Sequence, residues 1–145
     1  MIRILIFVTI GLALSCTNKS TSEQVLTKAD EIKYEQYFVE GQQLYNLHCS
    51  NCHQSNGEGL GKLFPPIKSS DYLEQNFDEV ICLMKNGISG EIVVNGIHYN
   101  QPMPGISALS ALEVAEIATY IYNSWDHSRG FIDVKSVNKI LASCK

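Results

Sequence analysis

Apolar residues recur at helical spacing in several stretches of the chain, and these stretches predict a mainly helical protein. The first runs from Tyr34 to His48 and leads directly into Cys49. The second follows Asn76, which can cap a helix with acidic residues in its first turn, and it should end at Gly87. The predicted inward face of this second helix consists of Phe77, Val80, Ile81 and Met84.

Two more helices are predicted in the last third of the chain. Ser110 and Glu113 form a capping box, and the helix that follows should last to about Trp125. A last helix is predicted after Asp133. One face of this last helix should carry Val137, Leu141 and Cys144.

The segments between the helices are rich in turn residues. Asn95-Gly96 stands between β-branched residues and predicts a type I′ hairpin, the only β-structure that the sequence indicates. Residues 56–61 include three glycines, and Pro65-Pro66 follow. Because no strand precedes this glycine-rich run and no helix opens on it, we expect a loop that wraps a cofactor edge rather than a phosphate site.

The N-terminus has the pattern of an export signal. Arg3 precedes an apolar run from Ile4 to Leu14, which is too short to remain in a membrane as a spanning helix. Residues 13–16, Ala-Leu-Ser-Cys, resemble the lipobox of bacterial lipoproteins, although Leu is usual where Ala13 stands. We therefore expect residues 1–15 to be a cleaved signal and Cys16 to be lipidated, the alternative being an ordinary signal followed by an incidental cysteine.

Residues 17–27 are rich in Ser, Thr and Lys and should form a flexible spacer. The predicted organisation is a lipidated N-terminus and linker over residues 16–29, then one domain with a helical C-terminal extension over residues 30–145. The formal net charge of −4 makes nucleic acid a poor partner. We expect the protein in the bacterial periplasm, tethered to a membrane by its lipid.

The segment Cys49-Ser-Asn-Cys52-His53 carries the most specific chemistry. Two thiols at this spacing can form thioethers with the vinyl groups of a haem, and the adjacent histidine then becomes an axial ligand of the iron. A zinc ribbon would need a second ligand pair, whereas Cys82 and Cys144 stand far apart. A thioredoxin-like redox pair would follow a parallel strand, and no such pattern precedes Cys49. One covalent haem c is the predicted cofactor, with zinc and thiol redox chemistry as alternatives.

A six-coordinate haem needs a second axial donor, and three methionines are candidates. Met1 would be lost with the signal, and Met84 falls on the apolar face of a predicted helix, where core packing explains it. Met103 lies between Pro102 and Pro104 in a segment expected to be an extended loop. Because the prolines restrict the backbone, they can hold a weak thioether ligand at little entropic cost. Met103 is therefore the predicted ligand, and an apolar loop residue is the alternative.

Three histidines lie outside the Cys-x-x-Cys-His motif. His98 is the second candidate for the distal ligand, although we expect it to be a surface residue of the hairpin. His48 and His127 are expected to be solvated.

With these motifs the chain resembles the mono-haem class I cytochromes c over nearly all of residues 34–125. Gly41 and Tyr45 precede the haem motif as a small residue and an aromatic do in that family's first helix. Tyr120-Ile121 matches the last helix against which those two residues pack. Residues 99–104 and 120–125 look like the methionine loop and the last helix of bacterial members. The resemblance implies an all-α cytochrome c fold of several short helices around one covalent haem.

The resemblance also assigns a role to Pro65. This residue follows His53 at the family's spacing for the proline whose carbonyl receives the histidine Nδ1 proton. The chain departs from the family pattern in two ways: it lacks the lysine-rich face of mitochondrial members, and it continues beyond the usual last helix to Cys144.

The two remaining cysteines can be considered without the family. Cys82 falls with Asp78 and Lys85 on the helix side opposite the apolar face, which would leave a thiol near the surface in an oxidising compartment. We expect it to form a disulfide with Cys144, pinning the C-terminal extension over that helix. Two separate inert thiols remain the alternative.

These features predict a membrane-tethered carrier of single electrons with redox proteins, a reductase or an oxidase, as partners. His53 and Met103 would ligate the iron, and no catalytic residue is predicted. One alternative is a haem enzyme or gas sensor with a labile methionine ligand. Another is an electron-entry subunit of a larger reductase or oxidase complex.

Overall fold

A computed structural model describes residues 27–144 and has the predicted all-α architecture. In this range six helices surround one hydrophobic core, and four very short strands lie between the fourth and fifth helices. The helices are α1 (Lys28–His48), α2 (Ser50–His53), α3 (Asp71–Gln75), α4 (Phe77–Asn86), α5 (Ala111–Ile121) and α6 (Val134–Leu141). The strands are β1 (Gly87–Ile88), β2 (Ile92–Val94), β3 (Ile97–Tyr99) and β4 (Met103–Pro104).

Helices α1 and α5 cross in close contact at Gly41. A Cβ atom on Gly41 would overlap the carbonyl group of Glu116, so the two helices can cross at this distance only over a glycine. Tyr45, one turn further along α1, is fully buried, and the centre of its ring lies 5.4 Å from the centre of the Tyr120 ring. This crossing fixes the end of α1, and with it the position of Cys49.

Helix α1 begins six residues earlier than the sequence pattern predicted. Thr27 caps it in a capping box with Asp30, whose carboxylate accepts hydrogen bonds from the backbone and hydroxyl of Thr27. The first two turns are mostly exposed and polar, and the cap initiates them rather than an apolar face. The apolar periodicity therefore missed this part of the helix.

Asn76 precedes α4 as predicted, but it does not cap the helix with its side chain. Its amide instead donates to the carbonyl of Tyr72, which closes the short helix α3. Gly87 ends α4 with a positive φ of 72°, as expected of a glycine after a last helical turn. Val80, Ile81 and Met84 of the predicted inward face are buried. Phe77 is partly buried and packs edge-on against Tyr122.

The predicted hairpin is formed by β2 and β3, with positive φ at Asn95 and Gly96. It is not the only β-structure, because β1 pairs antiparallel with β4. Met103 is therefore part of a short strand rather than an unpaired loop. Two residues on each side are too few to produce an alternation that the sequence could reveal.

Helix α5 begins at the predicted capping box of Ser110 and Glu113 but ends at Ile121, four residues before Trp125. Helix α6 follows Asp133, whose carboxylate accepts hydrogen bonds from two backbone amides of the first turn. Cys144, just beyond α6, forms a disulfide with Cys82 of α4, with 5.7 Å between the Cα atoms. Within residues 27–144, no helix has the length and apolar character needed to span a membrane.

Candidate functional site

The predicted haem ligands meet at one apolar cavity of about 290 Å³. One part of its wall comes from the end of α1 and from α2, and another from α4 and the strands that follow it. The lining includes all of the thiol, imidazole and thioether groups that the sequence singled out for haem binding: Cys49, Cys52, His53 and Met103.

The two cysteines are positioned by the junction between α1 and α2. Cys49 ends the first helix and begins the second, so both thiols and the histidine project from one continuous turn. The Tyr45 hydroxyl donates to the carbonyl of Gln54 at 2.6 Å, which closes this turn from behind. Burial, and secondarily the neighbouring Cys52, raises the pKa of the Cys49 thiol to about 11. A thiol with this pKa is protonated at neutral pH.

His53 is oriented by Pro65. Its Nδ1 lies 2.9 Å from the carbonyl oxygen of Pro65, and because that oxygen can only accept, Nδ1 must carry the hydrogen. The free ring nitrogen is then Nε2, the atom available to a metal. Burial lowers the pKa of His53, partly offset by this hydrogen bond, which favours the neutral, ligating form of the ring.

The loop that carries Pro65 is held in place through Gly57. The amides of Ile67 and Lys68 both donate to the carbonyl of Gly57, at 2.8 and 2.9 Å. Gly57 itself packs against the indole of Trp125, and a Cβ there would lie 2.9 Å from the ring. The glycine-rich run therefore forms a loop, as predicted, and its role is to hold the Pro65 segment beside His53.

Met103 lines the cavity from β4, where it pairs with Ile88. Met84, which the sequence assigned to core packing, also lines the cavity from the buried face of α4. Both thioethers thus face the same space. They differ in backbone setting, since Met84 is on a regular helix and Met103 stands between two prolines.

The donor set fits a c-type haem better than the two alternatives. Cys82 and Cys144 are bonded to each other, so they cannot complete a zinc site with Cys49 and Cys52. A thioredoxin-like pair needs a thiol whose pKa is lowered, whereas that of Cys49 is raised. The remaining lining is largely apolar, as a haem face requires.

His127 was predicted to be solvated, and this prediction is wrong. The residue is only 7% exposed, its Nε2 lies 2.8 Å from the carbonyl oxygen of Ile67, and its Nδ1 contacts the carboxylate of Glu74. It therefore supports the Pro65 loop from the outside. No local signal marks it, because its partners are 53 and 60 residues away in sequence.

The other predicted residues lie away from the cavity. His48 is exposed, and His98 is exposed on the hairpin with Nδ1 2.9 Å from a carboxylate oxygen of Glu91. Neither belongs to the cavity lining, nor does either cysteine of the disulfide. Cys16 and the predicted signal peptide lie outside the described residues.

Known proteins share this sequence pattern. The sequence model of the cytochrome c family matches residues 38–125. The chain is 30% identical over 95 residues to cytochrome c-552 of Thermus thermophilus, which is 63% of this chain and 72% of that protein. A second cytochrome c-552 of the same species has the same identity over 95 residues, which is 63% of this chain and 64% of that protein. The cytochrome c subunit of a quinone alcohol dehydrogenase from Gluconacetobacter polyoxogenes is 27% identical over 106 residues, 70% of this chain and 22% of that subunit.

Proposed function

The chain belongs to the cytochrome c family, and from this membership we propose that it is a single-electron carrier whose haem iron is held between His53 and Met103. The family binds haem c covalently, and one haem is typical of a domain of this size. The observation that carries the proposal is the apolar cavity to which Cys49, Cys52, His53 and Met103 all contribute.

The residues of the chain have separate tasks in this proposal. Cys49 and Cys52 attach the haem, which supplies a one-electron couple when bound. His53 offers Nε2 as a ligand, and the Pro65 carbonyl fixes the tautomer and makes the ring a better donor. Met103 supplies a soft thioether, and His/Met ligation raises the reduction potential. Met103 is preferred to Met84 because its flanking prolines restrict the backbone that presents the sulfur.

The apolar walls contribute to the same function. Val80, Ile117 and Ile121 are buried and line the cavity, so they exclude water from it. A low dielectric around the iron favours the redox state with less net charge, which is the ferrous state of a His/Met haem. This environment suits electron exchange.

A second candidate is the electron-entry subunit of a larger redox complex. The relative from Gluconacetobacter polyoxogenes favours it, because its name describes a cytochrome subunit of a dehydrogenase. The chain spans only 22% of that subunit, so the match concerns one domain. Co-purification of a stoichiometric dehydrogenase or oxidase from detergent-solubilised membranes would support this candidate, and a carrier that purifies alone would favour the first.

The ligation is tested with two matched substitutions, Met103→Leu and Met84→Leu. Both remove a sulfur from the cavity lining while nearly preserving volume. Met103→Leu should abolish the weak far-red methionine-to-iron absorption band of the ferric protein, lower its reduction potential, and let carbon monoxide bind the ferrous form. Met84→Leu should leave all three properties close to those of the native protein.

Other outcomes would contradict the proposal in distinct ways. Survival of the far-red band in Met103→Leu and its loss in Met84→Leu would assign the ligand to the helix. Ready carbon monoxide binding by the native protein would favour an enzyme or gas sensor. Covalent attachment would be contradicted if acidified acetone extracted the haem, or if the mass of the mature protein did not include one haem.

The periplasmic location and the lipid on Cys16 are part of the same proposal. They rest on the signal-like residues 1–15 and the polar segment that follows. Cys16→Ser should release a soluble periplasmic form that still contains haem, and mass spectrometry of the native N-terminal peptide should show acyl chains. If the native protein already fractionates as soluble, the interpretation as a lipid-anchored protein is replaced by that of a simple secreted protein.

A further inference from the structure

The side chain of Lys85 makes an unusual contact at the end of α4. Its ammonium group donates to the backbone carbonyl of Leu109 at 2.5 Å, and the lysine is half-buried. Leu109 immediately precedes Ser110, the N-cap residue of α5. The first backbone hydrogen bond of that helix is accepted by the carbonyl of Ser110. The Leu109 carbonyl therefore has no partner within the helix, and the lysine supplies one.

This bond is the last of three attachments that α4 and the strand β1 after it make to residues 103–109. The first is the pairing of Gly87 and Ile88 with β4. The second is the hydrogen bond from the Ile106 amide to the carbonyl of Met84, at 3.0 Å. The third is the Lys85 bond to Leu109.

Residues 104–109, the segment after Met103, also lie directly on the last turn of α4. A Cβ atom on Gly105 would overlap the backbone of Lys85, Asn86 and Gly87, so no side chain fits between the two. A short segment held at both ends loses little further entropy when its first residue is fixed in place. Burial of the Leu109 side chain in the core also holds the far end of this segment, and the Lys85 bond fixes the Leu109 carbonyl directly against α4.

We propose that Lys85 is a positioning residue that holds residues 104–109 against α4 and thereby slows the departure of the Met103 sulfur from the iron. This inference rests on the proposed ligation by Met103. Lys85 is suited to the role because a hydrogen bond from a charged donor is stronger than one between neutral groups. The lysine does not line the cavity and acts only through the segment.

The test measures imidazole binding to the ferric holoprotein by stopped-flow absorption. At saturating imidazole the observed rate becomes limited by the departure of the methionine ligand. Lys85→Met keeps the length of the side chain and removes the donor, and we expect a limiting rate roughly tenfold higher, equivalent to about 1.4 kcal/mol in the barrier. Lys85→Arg keeps a charged donor and should restore a rate close to native.

Two controls separate this effect from charge and from general loss of stability. Lys139→Met removes an exposed cation of α6 and should leave the limiting rate unchanged. Asn123→Ala removes side-chain hydrogen bonds to the carbonyls of Thr119 and Gly130, which lie outside residues 104–109. It should lower global stability without accelerating imidazole binding. Equal acceleration in Asn123→Ala and Lys85→Met would overturn the inference.

Hydrogen exchange of the Ile106 amide gives a second measurement. Its bond to Met84 should open more often in Lys85→Met, while the amides of α5 exchange as in the native protein. If Lys85→Met does not assemble with haem, Lys85→Gln is measured in the same way. A limiting rate within twofold of native in the Lys85 variant would refute the positioning role.

The failure of the ligation and the failure of the inference have different signatures. If Met103→Leu leaves the far-red band and the imidazole rate unchanged, the proposed ligation is wrong. If Met103→Leu abolishes the band while Lys85→Met leaves the imidazole rate and Ile106 exchange unchanged, the ligation stands and the role of Lys85 is wrong.

Discussion

Removal of the disulfide should cost this protein a large share of its stability without changing its redox chemistry. The bond joins Cys82 in α4 to Cys144 beyond α6 and closes a loop with a sequence separation of 62. That loop contains all four strands and the last two helices. The perturbation is the double substitution Cys82→Ser/Cys144→Ser, which removes the bond and leaves no free thiol in the pair.

The magnitude follows from the length of the loop. For the separation of 62, the chain-entropy relation gives about 14 cal/mol/K, or about 4 kcal/mol at 25 °C. Such a loss lowers the melting temperature of a domain of this size by roughly 15 °C. The variant should still fold, because Val137 of α6 remains fully buried in the core.

The assay is urea unfolding of the ferric holoprotein, followed both by far-ultraviolet circular dichroism and by the Soret band. Substitution is preferable to a reducing agent, because the reductant would also reduce the iron and change the stability of its ligation. Ser143→Ala alters the exposed residue next to Cys144 while keeping the bond, and it serves as the control. Both probes should shift together in the double variant.

A loss below about 1 kcal/mol would refute the reasoning, since it would mean that the unfolded chain gains almost no freedom when the bond is absent. Transitions that differ between the two probes would show that the variant no longer unfolds in a single two-state step. The reduction potential should stay the same, because neither sulfur lines the cavity. A changed potential in a fully folded variant would contradict this part of the prediction.

Three further predictions concern single residues. Gly41→Ala should cost about 3 kcal/mol or more in urea unfolding, because the new methyl group overlaps the Glu116 carbonyl, and an unchanged midpoint would contradict the helix crossing. Burial, with Glu40 and Glu113 nearby, raises the pKa of Glu116, so the stability of the native state falls as pH rises through that pKa. Glu116→Gln should therefore stabilise the protein at pH 7 by less than about 1 kcal/mol and give no gain at pH 3, as measured by urea unfolding. Hydrogen bonds from Ser136 lower the pKa of Asp133, so the stabilisation by the Asp133 carboxylate is present at neutral pH and is lost as pH falls through the lowered pKa. Asp133→Ala should cost about 1 kcal/mol at pH 7, and a cost that does not change with pH would exclude the charged cap.

Several features could be predicted from the sequence because they depend on residues close together in the chain. The spacing of Cys49, Cys52 and His53 is set by the chemistry of one cofactor. The capping box at Ser110 and the Asn95-Gly96 turn are four-residue or two-residue patterns, and the structure places them where they were predicted. The helical fold follows from such local signals and from apolar periodicity.

Other features were decided only by the tertiary structure, because their partners are distant in sequence. The burial of His127 depends on Glu74 and Ile67, and its own neighbours in the chain give no sign of it. The pairing of Met103 with Ile88 and the approach of Lys85 to Leu109 require the chain to return to α4 after the hairpin. Periodicity reports which side of an element is apolar. It does not report which distant polar group will satisfy a buried carbonyl or imidazole, because that depends on the path of the whole chain.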